Sequence, residues 1–147
     1  MSESKEQEAP GRVLALDIGT KTIGAAVSDE LRLTVRTLRP IPRRSWKRLL
    51  EEISRLIAEL DARALVIGLP LRVDGSEGTA SGEARRMAEK FRLSLSVPVH
   101  LQDERLTTFA ATETLIASGA NAGEIAARVD SGAAAIILQD FLNTTQV

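Results

Sequence analysis

The sequence predicts one α/β domain, a five-stranded mixed sheet with helices on both faces in the order βββ-α-β-α-β-α-α. Three observations carry that reading. Val13-Leu14-Ala15-Leu16 and Ala64-Leu65-Val66-Ile67 are short continuous apolar runs, as in strands buried on both faces. The apolar positions Trp46, Leu49, Leu50, Ile53, Leu56, Ile57 and Leu60 keep the 3.6-residue period of an amphipathic helix. Helices and strands then alternate, which makes the later strands parallel to the first, joined by right-handed crossovers. A chain of 147 residues suits one such core.

Each element has its own signal. Residues 1–11 are polar, end in Pro10-Gly11 and read as a disordered tail; the domain spans residues 12–142, and residues 143–147 form a C-terminal tail. The first strand ends in Asp17-Ile18-Gly19-Thr20, and a second covers residues 23–28. The link Gly19-Thr20-Lys21-Thr22 has the length and composition of a hairpin turn. Leu31, Leu33 and Val35 alternate with Arg32, Thr34 and Arg36, the period of a half-buried third strand, which Pro40 and Pro42 stop. Ser45 caps the first helix. Residues 64–68 form the fourth strand, followed by a loop of turn residues through Gly78 and a helix over residues 80–91. The fifth strand covers residues 97–101, and Pro98 marks it as a sheet edge. Thr107 or Thr108 caps a third helix reaching Ser118; residues 119–123 form a loop, and residues 129–142 the last helix.

Composition narrows the chemistry. With no Cys and one His, there is no disulfide framework, no thiolate metal site and no His-rich zinc site. The N-terminus does not read as a signal peptide and no apolar run reaches membrane-spanning length, so a cytoplasmic protein with no membrane partner is expected. Four aromatics are too few for a base-stacking platform. The net charge of −1 is unevenly spread: residues 31–50 hold seven basic side chains and no acid, so the remainder carries 12 basic against 20 acidic. That run is either a solvated face or a cationic surface for nucleic acid.

Ligands of such sheets bind beyond the carboxyl ends of the parallel strands. Asp17, Gly68-Leu69-Pro70 and Asp103-Glu104-Arg105 gather at that edge. Taken singly, Asp17 suits a turn cap, Glu104 an ion pair with Arg105, and Asp130 a helix N-terminal carboxylate. Taken together, three carboxylates without His or Cys suit Mg²⁺ or Mn²⁺. Two such ions support phosphodiester hydrolysis by water, with no side-chain nucleophile.

Four segments, LALDIGTKTIGAAVSD at residues 14–29, VIGLPLRVDGSEG at 66–78, DERLTT at 103–108 and VDSGAAAIILQDFL at 129–142, together resemble the YqgF family. These are Holliday-junction-resolvase-like nucleases, also described as pre-16S ribosomal RNA nucleases. The resemblance covers residues 12–142 and implies a ribonuclease-H-like fold. It also implies a catalytic and metal-binding triad on Asp17, Glu104 and Asp130. Lys21 and Arg105 are then candidate phosphate contacts, and Arg43, Arg44 and Lys47 of the basic run join them as substrate-binding residues. Two departures bear on substrate grip: Thr22 stands where relatives carry a second basic residue, and residues 121–128 hold one Arg and one Glu where relatives are rich in Lys and Arg.

The expected function is metal-dependent endonuclease cleavage of structured RNA or branched DNA, with pre-16S rRNA 5′-end maturation ahead of junction resolution. Symmetric cleavage of two strands would call for a homodimer. Two other readings compete: a non-catalytic nucleic-acid-binding module of the same fold, and an ATPase related to sugar kinases through Asp17-Ile18-Gly19-Thr20. The second needs two such domains, and this length supplies one.

Overall fold

The structure is a computed structural model that describes residues 9–70, 74, 76–103 and 122–145, with only the backbone described for 122–131 and 145. In chain order the elements are β1 (Arg12–Ile18), β2 (Thr22–Ser28), β3 (Val35–Thr37), β4 (Ile41–Pro42), α1 (Trp46–Leu60), β5 (Ala62–Leu69), α2 (Thr79–Ser94), β6 (Val99–Asp103) and α3 (Ala122–Thr145). The sheet has six strands in the order β3-β2-β1-β5-β6, with β4 also pairing β2. β2 is antiparallel to β1, whereas β1, β5 and β6 are mutually parallel.

Strand alternation sorts the apolar residues onto two faces. Leu14, Leu16, Ile23, Val27, Leu65 and Ile67 pack with Leu49 and Ile53 of α1 and with Ala84, Ala88 and Phe91 of α2. On the opposite face, Val13, Ala15, Ala26, Ala64 and Val66 pack with Ala134, Ile137, Leu138, Phe141 and Leu142 of α3. The expected α/β architecture with helices on both faces is therefore present. Among the described residues, no helix is long and apolar enough to cross a membrane.

The capping signals form as their chemistry demands. The Ser45 hydroxyl accepts the Arg48 N–H at 3.3 Å, which starts α1. Asp61 closes the helix in the left-handed region, at φ 51°, and β5 begins at the next residue. The buried Ser81 hydroxyl of α2 donates to the Pro70 carbonyl, tying the loop after β5 to that helix. At the head of β1, where the pairing with β5 shifts register, buried Ser28 accepts the Val13 N–H at 2.9 Å.

Several expectations are corrected. The five-strand count becomes six, because Ile41-Pro42 pairs with Thr22 and Ile23; a proline is tolerated there because β4 lies on the outer flank of β2. The third strand does not begin at Leu31. The Asp29 carboxylate accepts the Leu33 and Thr34 N–H groups at 2.7 and 2.8 Å, and Arg32 turns to φ 60°, so residues 29–34 form a turn. Leu31 and Leu33 are left 55% and 73% exposed. Gly123, expected in a loop, lies in α3, and so do residues 143–145, expected in the tail. Pro10 and Gly11, the last residues of the expected N-terminal tail, are held by Arg32, whose guanidinium donates to both carbonyls. The helix expected over residues 107–118 lies outside the described residues.

Candidate functional site

Asp17 occupies the last turn of alternation in β1. Ala15 and Val13, two and four residues before it, face α3, so Asp17 stands on the α3 side of the sheet, half-buried. Directly opposite on β2 is Gly24. On the other flank, one step beyond the Leu16–Ile67 pair, Asp17 comes level with Gly68, which is itself paired with Gln102. The row across the sheet is thus Gly24, Asp17, Gly68, Gln102. Both of its strand neighbours are glycines, so no side chain flanks the carboxylate within the sheet row.

α3 crosses that same face. Asp130 lies on its backbone four and seven residues before Ala134 and Ile137, which are buried against the sheet. That is the spacing of one helical stripe. The Asp130 side chain, and all of Glu104 and Arg105, lie outside the described atoms. Among the described residues, no three His, Cys, Asp or Glu side chains gather to hold a metal. The carboxylate of Asp17 is an oxygen donor, a chemistry that fits a hard divalent cation.

The basic candidates separate into two kinds. Lys21, Arg44 and Lys47 are exposed. Lys47 and Arg48 sit in the first turn of α1, which contains no acid. Cations there oppose the helix dipole, so their placement is not explained by helix stability. Arg43 differs. Its backbone N–H donates to the Lys21 carbonyl at 2.9 Å, and its guanidinium donates to the Gly19 carbonyl at 2.9 Å and pairs with Glu83 at 2.8 Å. Hydrogen bonding to Arg43 holds the Glu83 carboxyl below its ordinary range against the opposing effect of partial burial.

One feature was not signalled by the sequence pattern. Asp140 of α3 lies in a shallow depression with Asp103, Gln102, Asn143 and Thr144. Burial, and secondarily the Asp103 charge, push the Asp140 carboxyl above its usual range. His100, in contact with Phe141 at 5.1 Å between ring centroids, is kept neutral to lower pH by burial, with Arg92 and Arg32 adding to the effect. It belongs to the α3 interface.

Solved structures share this fold. The chain aligns with Thermus thermophilus RuvC in complex with a Holliday junction substrate at TM-score 0.55 and 14% identity, over 92% of this chain and 96% of that one. The Fowlpox virus resolvase bound to Holliday junction DNA aligns at TM-score 0.56 and 9% identity, over 92% and 99%. Sequence relatives are far nearer. An Anaeromyxobacter (strain Fw109-5) protein is 42% identical over 132 residues, covering 90% of this chain and 96% of its own length. A Myxococcus xanthus protein is also 42% identical, over 90% of this chain and 87% of its own. A Roseiflexus (strain RS-1) protein is 39% identical over 138 residues, or 92% and 96%. All three are named "Putative pre-16S rRNA nuclease". The family model for RuvX, described as Holliday junction resolvase, matches residues 11–144, and the chain belongs to that family.

Proposed function

We propose that this chain is a Mg²⁺- or Mn²⁺-dependent endonuclease that hydrolyses phosphodiester bonds, acting in the cytoplasm on the 5′ end of pre-16S ribosomal RNA. The observation that carries the reading is the placement of Asp17, a carboxylate at the carboxyl end of the central parallel strand with glycine on either side. Relatives at about 40% identity bear the matching name.

In this reading Asp17, Glu104 and Asp130 supply the oxygen ligands. Asp130 lies on the backbone of α3, four and seven residues before Ala134 and Ile137, which are buried against the sheet, and Glu104 follows β6 directly in the sequence. Divalent cations, when bound, stabilise charge on the scissile phosphate and make water a competent nucleophile near neutral pH. The glycine flanks let a sugar-phosphate backbone approach closely. Lys21, Arg44 and Lys47, with Arg105, hold flanking phosphates, contacts that position the substrate without reading its sequence.

Branched DNA is the second substrate reading, favoured by the description of the RuvX model. It would call for a homodimer, one active centre for each strand cut. The test incubates the purified chain with a 5′-extended 16S precursor RNA and with a four-way DNA junction, in Mg²⁺ and in Mn²⁺. Cleavage of the RNA alone supports the first reading, and resolution of the junction alone supports the second. Binding without cleavage of either overturns both in favour of a non-catalytic module.

A further inference from the structure

We infer that Arg43 is a positioning residue, a clamp that with Glu83 fixes the turn following Asp17. The inference rests on the nuclease reading above but is tested partly without it. The turn from Gly19 to Thr22 joins β1 to β2 immediately after the carboxylate. Its Gly19 N–H donates to the Thr22 carbonyl at 3.0 Å. Two further groups of the turn, the Gly19 and Lys21 carbonyls, are both taken by Arg43, one through its side chain and one through its backbone. A single residue from the segment between β4 and α1 therefore holds the turn at two points.

The other side of the guanidinium is equally engaged. Nη1 donates to one Glu83 oxygen at 2.9 Å, and Nη2 lies 2.8 Å from the other. Its planar fork matches a carboxylate on one edge and leaves a donor for a carbonyl, an arrangement an ammonium cannot copy. Nη2 also rests 4.0 Å from the Met87 sulfur, one helical turn beyond Glu83. The Arg43 side chain is 24% exposed, and its donors point into the protein.

Glu83 belongs to the same stretch of α2 as Ser81, whose hydroxyl donates to the Pro70 carbonyl just after β5. The start of α2 thus braces both loops that flank Asp17: the one after β1 through Arg43, and the one after β5 directly. A phosphate contact needs free donors facing solvent, and Lys21, Arg44 and Lys47 provide them. Arg43 provides a fixed turn.

The test uses Glu83→Gln, Arg43→Gln and Arg43→Lys in the full chain, with two readouts. The first is amide hydrogen exchange at residues 19–22, with residues 64–67 of β5 as an internal control. The second is cleavage kinetics on whichever nucleic acid the wild type cuts. The clamp predicts that all three variants exchange about tenfold faster in the turn while β5 is unchanged. It also predicts that kcat falls about tenfold with KM within about twofold. Glu83→Gln is decisive, because it keeps the Arg43 charge while removing the carboxylate that holds both guanidinium nitrogens. A raised KM with unchanged kcat in the Arg43 variants, and normal kinetics in Glu83→Gln, would make Arg43 a substrate contact and overturn the clamp. Unchanged turn exchange would overturn it as well, and so would full protection in Arg43→Lys. If the wild type cuts nothing, the nuclease reading fails while the exchange readout still judges the clamp.

Discussion

Asp17 and Gly24 stand directly opposite each other on β1 and β2, on the sheet face that α3 covers. The residue across from the carboxylate is a glycine, not a Leu or Val that would pack over it. Asp17→Asn keeps the size and loses the charge. The expected outcome is cleavage reduced about 10³-fold or more, as for residues that act as one unit, with the far-ultraviolet circular dichroism spectrum and cooperative unfolding retained. Full activity in this variant would remove Asp17 from the centre.

Gly19 tests the turn from the other direction. A Cβ at this position would collide with the Thr22 carbonyl oxygen, a backbone atom that cannot swing away. Gly19→Ala is expected to destabilise the protein by about 1–3 kcal/mol through overpacking, measured as a lower urea midpoint. An unchanged midpoint would mean that the turn rearranges freely.

Ile53 and Leu33 form a matched contrast. Ile53 is fully buried between α1 and the sheet, whereas Leu33 is 73% exposed on the turn after β2. Truncation of Ile53 to Ala is expected to cost about 2–5 kcal/mol. Truncation of Leu33 to Ala should change stability by no more than about 0.5 kcal/mol. Chemical denaturation of the two variants side by side checks the pair.

Asp140 gives a pH dependence with a definite sign. Its carboxyl is pushed up in the folded state, first by burial and then by Asp103. The folded protein therefore favours the protonated form more than the unfolded chain does. That contribution is present below the ordinary carboxylate pKa and is lost as pH rises through the raised value. Asp140→Asn is expected to raise Tm at pH 7 and to have little effect below about pH 3, where the native Asp is already neutral. Thermal melts across that range distinguish this from a pH-independent packing effect.

Much of this architecture was legible because it depends on local chemistry. Ser45 announces α1 because a hydroxyl before an amphipathic run satisfies a free N–H, and the run buries Leu49 and Ile53 as its period requires. The parallel run of β1, β5 and β6 follows, as expected, from the alternation of helices and strands after the first helix. The misread strand at Leu31 and Leu33 had the correct alternation, yet the Asp29 carboxylate offered the backbone a competing set of bonds and the turn won. β4 was hidden because Pro42 normally ends a strand, and only its place on the outer flank of β2 permits it. The placement of Asp17 near the end of β1 was readable from an ionisable group ending an apolar run. The engagement of Arg43 was not, since its partner Glu83 lies forty residues away and no local pattern links them.

The central position of β1 also sets the order in which the protein becomes competent. β1 begins at residue 12, but β5, which closes its second flank and brings Gly68 beside Asp17, begins at residue 62. At translation rates of about 5–20 residues per second, the ribosome needs roughly 3–10 seconds to deliver that partner. Until then β1 is paired on one flank only, with β2, which β3 and β4 join first on its outer side. A carboxylate that leaves the ribosome early is thus framed late, so a fragment ending before β5 carries the acid without its setting.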